Sequence, residues 1–312
     1  MERLDVDGVL EGRGACRSLA GPVETNGEHS LPDSSLPDSP ATDGQDPRLD
    51  RREREEIRER SNPPALILHE AIRLEGEEEL KRPASALMWS GLAAGLSMGF
   101  SMVGEALFMA HLPDEPWRPL LASFGYCFGF LIVILGRQQL FTENTLTVIL
   151  PLLQRWSPWN LMRVIRLWTL VFAANMAGTL LFAAMAAGTG AFSPDLRAGF
   201  AELGRAAQGD GFTTTLLHGV LAGWLIALLV WITPSVGQAR FFVIVALTYL
   251  IALGKFAHVV AGSVEVSYAA MIGEVTWTGY GFGFLLPALI GNVLGGVGLV
   301  ALINHAQVRQ DR

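Results

Sequence analysis

The chain is poor in the residues that most site chemistry needs. Its 312 residues include two cysteines, Cys16 in a polar N-terminal stretch and Cys127 inside an apolar run. Two cysteines so placed exclude a disulfide framework and a cysteine metal cluster. No basic patch is present to neutralise phosphates, which excludes nucleic acid as a partner. No glycine-rich nucleotide loop, metal-ligand cluster or nucleophile–base grouping is visible. ATP-driven transport and intramembrane proteolysis therefore lack their residues, and no enzyme activity, cofactor or metal is expected. No apolar segment follows the first residues, so no signal peptide is expected.

What the chain does contain is hydrophobic. Half of its residues are apolar, its mean hydropathy is +0.35, and 34 are glycine. Several apolar runs of about 20 residues read as a polytopic, all-α membrane protein. The net charge of −7 is unevenly divided. Residues 1–83 carry 12 Lys/Arg against 20 Asp/Glu, a net of −8, and the remainder carries 11 against 10, a net of +1. Residues 1–46, rich in Pro, Ser, Asp and Gly, cannot bury enough surface to offset their chain entropy and read as a disordered acidic tail. Residues 47–83 read as a charged, amphipathic helical segment on the cytoplasmic side. There the alternating charges from Arg51 to Glu56 suit a solvated helix, and Leu66, Leu68, Ala71, Ile72 and Leu74 give a short apolar face.

Residues 84–306 read as six spans, with a short cytoplasmic C-terminus at 307–312. The first, Ala84 to Met109, carries Gly91, Gly95 and Gly99 in a row that allows close helix contact. The second starts near Pro119, breaks at Gly136 to Thr145 and resumes over Leu146 to Leu150. The third runs from Leu161 to Ala187, the fourth from Phe212 to Ile232, and the sixth from Phe282 to Asn304. The fifth, Phe241 to Ala270, is broken at Gly254-Lys255-Phe256-Ala257-His258. Arg155, Arg163, Arg166, Arg240, Arg309 and the basic residues between Arg48 and Arg82 alternate with acidic or near-neutral loops. By the positive-inside rule both termini are cytoplasmic, which needs an even number of spans. Trp117, Trp156, Trp159 and Trp277 flank spans as interfacial anchors among the membrane lipids.

Ionisable side chains inside an apolar span cost at least a few kcal/mol and usually face a cavity or pathway. From the local sequence two readings of Lys255 and His258 stand open: pathway residues, or a snorkelling lysine beside a buried spectator histidine. The matching break in the second span weighs toward the first. Breaks in the second span of each half are the pattern of two inverted three-helix repeats, whose binding site lies at the breaks. Non-helical backbone at that depth is tolerated only where protein buries it or water wets it. Helix N-termini exposed there favour anions.

Leu140-Phe141-Thr142 after a glycine, Phe256-x-His258 in the fifth span, and Asn292 in Gly291-Asn292-x-x-Gly295-Gly296 resemble the formate/nitrite transporter family. The similarity extends from about Ala84 to Asn304. It implies an aquaporin-like homopentamer in a bacterial inner membrane, each protomer with a pore for small monovalent anions or their conjugate acids, such as formate or nitrite. It further implies that Thr142 lines the pore, that Leu140 and, in the usual place of a phenylalanine, Ile251 form constrictions, and that His258 exchanges a proton or hydrogen bond with the permeant. Asn292 would lie within hydrogen-bonding range, with Phe141 and Phe256 completing the pathway. The sequence departs from the family in three ways. Gly223 stands where an Asn of the fourth span is expected, Ile251 replaces the phenylalanine, and no lysine lies near Ala207 or Gln208. Lys255 is expected to supply the attracting charge instead. Glu143 would repel anions and is expected to pair with Arg137 or Lys255 or to turn outward. Glu105 and Glu265 read as structural partners, and His218 as a span-entry histidine held by a neighbouring helix. Two rivals remain: a neutral-solute channel of the aquaporin type, which would need paired Asn-Pro-Ala boxes that neither break has, and a non-transporting membrane scaffold.

Overall fold

Proline and serine set where many of the helices begin. The computed structural model describes residues 50–53, 63–209 and 211–310. Helix α1 (Ala65–Lys81) follows Pro64 and α2 (Ala84–His111) follows Pro83. Helix α3 (Arg118–Leu135) has Pro119 in its first turn, where the missing N–H costs nothing. Pro158 opens α5 (Pro158–Gly188) and Pro194 opens α6 (Pro194–Gln208), each behind a serine whose hydroxyl caps the first turn, Ser157 to Asn160 N at 3.1 Å and Ser193 to Leu196 N at 3.4 Å. The short α4 (Asn144–Gln154) lies between α3 and α5. Helices α7 (Phe212–Ile232), α8 (Arg240–Leu253), α9 (Val259–Met271) and α10 (Gly279–Gln310) complete the order. Among the described residues there is no strand.

Five helices, α2, α3, α5, α10 and α7 extended to Ser235, are long and apolar enough to cross a membrane. The fifth of the six expected spans is instead made of two short pieces, α8 and α9. Between α5 and α7 the sequence reads as a plain loop, yet residues 194–208 are helical. The reason is amphipathicity. Phe200, Ala201 and Gly204 are buried while Arg197, Glu202 and Arg205 lie at or near the surface, so the segment has the mixed composition of a loop and the periodicity of a helix.

Two closely packed helix pairs form the frame, α2 with α5 and α7 with α10. Small residues make the approach close. A side chain at Gly95 would run into the backbone of Asn175 on α5, and one at Gly223 into the backbone of Asn292 on α10. The absence of an asparagine at 223 therefore has a steric cause. Helix α3 packs on α8, α9 on α5 and α6, and α4 on α10. Helix α1 closes one end against α4, where a side chain at Gly76 would strike the carbonyl of Thr147.

Residues 50–53 form a separate short turn in which Asp50 and Glu53 cap each other's backbone N–H at 2.8 and 2.7 Å. The tail at 1–46, most of the charged helix expected near 51–61, and Arg312 lie outside the described residues.

Filling the close approach at Gly223 should be costly, whereas Gly281 has open space beside it. Gly223→Leu is expected to lose at least about 1–3 kcal/mol by overpacking, read as a lower thermal midpoint of the detergent-solubilised protein. Gly281→Ala should leave that midpoint unchanged.

Candidate functional site

Both breaks begin with the same backbone device. Gly136 ends α3 and Gly254 ends α8, and the next residues, Arg137 and Lys255, are both left-handed at φ 51°. Neither is glycine, so each spends about 1–2 kcal/mol on the conformation. Each device closes with matching hydrogen bonds. Arg137 N–H donates to Ile134 O and Gln138 N–H to Val133 O; Lys255 N–H donates to Ala252 O and Phe256 N–H to Ile251 O, all within 2.9–3.2 Å. Helix α3, with 18 residues, is about 27 Å long and nearly spans a bilayer core by itself. Residues 136–143 then separate it from α4.

An asparagine receives the returning chain in each half. Asn175 on α5 accepts from Phe141 N–H at 2.9 Å and donates to the carbonyls of Gln139 (2.9 Å) and Gly91 (2.7 Å). Asn292 on α10 accepts from Val259 N–H at 2.9 Å and donates to the carbonyls of Ala257 (2.8 Å) and Gly219 (2.9 Å). Both side chains are fully buried. Both N–H donors of the Asn292 amide and one lone pair of its oxygen are taken by backbone, so the side chain positions the loop. Asn175, its counterpart, was not expected from the sequence; its signal is one amide inside the apolar third span.

The breaks meet at two side chains. His258 Nε2 lies 2.8 Å from the hydroxyl of Thr142. His258 is also the N-cap of α9, its Nδ1 accepting from Ala261 N–H at 3.2 Å. An accepting Nδ1 assigns the remaining proton of the neutral ring to Nε2, which then donates to Thr142 and leaves the threonine O–H free to donate elsewhere. The ring of Phe130 packs edge-on against the imidazole at 4.9 Å. In the numbering of the paired backbone bonds, His258 occupies the place that Leu140 occupies in the first break.

A cavity of about 120 Å³ opens beside His258, lined by Ile251 from α8, Lys255 and Phe256 from the second break, and Glu105 and Glu265 from α2 and α9. Phe256 also meets His218 edge-on at 6.0 Å, so that histidine packs against the break itself. Leu140 is fully buried. The ring of Phe141 packs edge-on against Phe172 at 5.0 Å and Trp168 at 5.7 Å on α5. Among the described residues no ion pair joins Glu143, which is half-buried, to Arg137 or Lys255.

Membrane-length helices, two inward-folded breaks and a buried polar contact where they meet define a polytopic membrane transport protein. The chain belongs to the formate/nitrite transporter family, whose model matches residues 67–306. It is 42% identical over 247 residues to "Inner membrane protein YfdC" of Escherichia coli K12, covering 79% of this chain and 80% of that protein. It is 23% identical to "Formate channel BtFdhC" of Bacillus thuringiensis over 74% of this chain and 90% of the other. The fold matches a solved "Pentameric formate channel with formate bound" with a TM-score of 0.64 at 19% identity, over 73% of this chain and 98% of that one.

Because Asn175 and Asn292 make the same three bonds, Asn175→Ala and Asn292→Ala should be similarly damaging. Each leaves one loop N–H and one loop carbonyl unpaired, at about 1–3 kcal/mol apiece, while the helix carbonyl keeps its helical position. Matched losses of thermal midpoint and of folded yield check this; a harmless Asn175→Ala would contradict it.

Proposed function

We propose that the chain forms a homopentameric channel or carrier for small monovalent anions or their conjugate acids, formate and nitrite being the class. Residues 84–306 are the transport unit, built as two inverted three-helix repeats, in an inner membrane with both termini cytoplasmic. The observation that carries this reading is the 2.8 Å contact between Thr142 and His258 where the two breaks meet. The physical case starts from desolvation. A bare carboxylate pays heavily to enter an apolar constriction, whereas its neutral acid does not. Lys255, in the wall of the cavity, draws the anion in. The threonine hydroxyl, with its oxygen held by His258, has its hydrogen to offer the permeant, so that His258 shares a hydrogen bond with it through Thr142. Leu140 and Ile251, both buried beside these groups, are the apolar constrictions. Asn292 holds the second break in place, and Phe141 and Phe256 pack the two breaks from the side.

Proteoliposome flux tests the reading. The wild type should pass formate or nitrite with a pH dependence that His258→Asn alters, lowering neutral-pH flux roughly tenfold or more. Lys255→Met should lower anion flux with the protein normally inserted, and removal of residues 1–46 should spare it. No flux with any small anion would leave the scaffold reading in its place.

A further inference from the structure

The cavity beside His258 contains a carboxyl that the reading above does not use. Glu265 lies seven residues after His258 on α9, two turns further along the same face and about 10 Å along the axis. Gly262 stands between them on that face, the ring of Phe284 from α10 packs where its side chain would be, and all four residues line the one cavity. Glu265 is 6% exposed, and that exposure is into the cavity. Among the described residues no hydrogen bond or ion pair engages its carboxyl. The helix packed over it, α6, turns apolar Leu203, Ala206 and Ala207 to the cavity, and α10 turns Phe284. The titratable and charged groups facing the same space are Glu105 on α2, Tyr126 on α3, and Lys255 and His258 in the second break.

The imidazole is badly placed to give up a proton. Its Nδ1 is occupied in capping α9, and its Nε2–H is directed to Thr142. A proton handed to an anion waiting at Lys255 must come from elsewhere in the cavity.

We propose that Glu265 is the proton donor of this vestibule, giving its carboxyl proton to a small carboxylate or nitrite drawn in by Lys255. The inference rests on the transport function proposed above. In the step, the Glu265 O–H bond breaks and an O–H bond forms on the permeant. The anion becomes its neutral acid, Glu265 becomes a carboxylate, and a hydronium ion from the solution, relayed through water in the cavity, gives Glu265 its proton back and leaves water. The neutral acid then moves along the cavity wall toward the Thr142–His258 contact.

The test is formate flux into proteoliposomes of the full-length protein between pH 5 and 7, with wild type, Glu265→Gln and Glu265→Asp. Without a donor only acid already protonated in solution can pass, so flux through Glu265→Gln should track neutral formic acid and fall about tenfold per pH unit. The wild type should fall less steeply, and Glu265→Asp should restore part of the shallow profile. A second readout is the infrared difference spectrum on adding 13C-labelled formate. A protonated-carboxyl band should be lost in the wild type, shifted in Glu265→Asp and absent from Glu265→Gln. A wild-type pH profile and flux in Glu265→Gln overturns the proposal, as does a wild-type difference spectrum without the band. A wild type that carries no small anion at any pH overturns the transport reading as well.

Discussion

Backbone that leaves a helix inside a membrane-crossing bundle must find its partners in the protein or in a wetted cavity. In this chain that requirement falls on two amides. Asn175 and Asn292 each take one N–H and two carbonyls from a returning loop and its neighbouring helix. Much else follows from the need to bring them in. Helices α5 and α10 must lie close to α2 and α7, which is why glycine stands at 95 and 223 where the backbones nearly touch. The left-handed residues Arg137 and Lys255 must turn the chain back from the ends of α3 and α8, at a cost in local strain that the asparagine bonds offset.

With the backbone scaffold nearly the same in both breaks, the side chains differ, and the difference is where the chemistry lies. The first break is tied down by polar contacts. Gln139 donates to Glu79 on α1 at 2.8 Å, Asn144 donates to Gln139 at 3.0 Å, and Trp168 donates to the carbonyl of Asn144 at 3.1 Å. The second break lacks that set of ties and opens onto the cavity at Lys255 and Phe256. Where the first break places a fully buried leucine, the second places the histidine. A rigid half and an accessible half thus meet at Thr142 and His258.

Much of this architecture is legible in the sequence, for identifiable reasons. The breaks stand out because glycine and charge interrupt otherwise continuous apolar runs, and the span ends because proline and loop charge mark them. The fourth span is read to its ends at Phe212 and Ile232, where the helix also begins and stops. Asn175 escapes because a single amide in an apolar helix looks like any hydrogen-bonded spectator until its three partners are known. Helix α6 escapes because its charges match those of a loop. The direction of the Phe141 ring, toward Trp168 and Phe172, depends on the local backbone turn, which no spacing rule reports.

His258 carries a structural duty and a chemical one in the same ring, and this constrains what each can be. As the cap of α9 its Nδ1 must accept, so the charged imidazolium, a donor at both nitrogens, would forfeit the cap and meet the positive end of the helix dipole. The neutral ring is therefore the one that fits the fold, with a single N–H directed at Thr142. A histidine so held can orient a hydroxyl and share a hydrogen bond through it, but it is poorly suited to carry a free proton across repeated cycles. The more firmly the fold uses this ring to start a helix, the more the proton chemistry must rest with another group facing the same cavity.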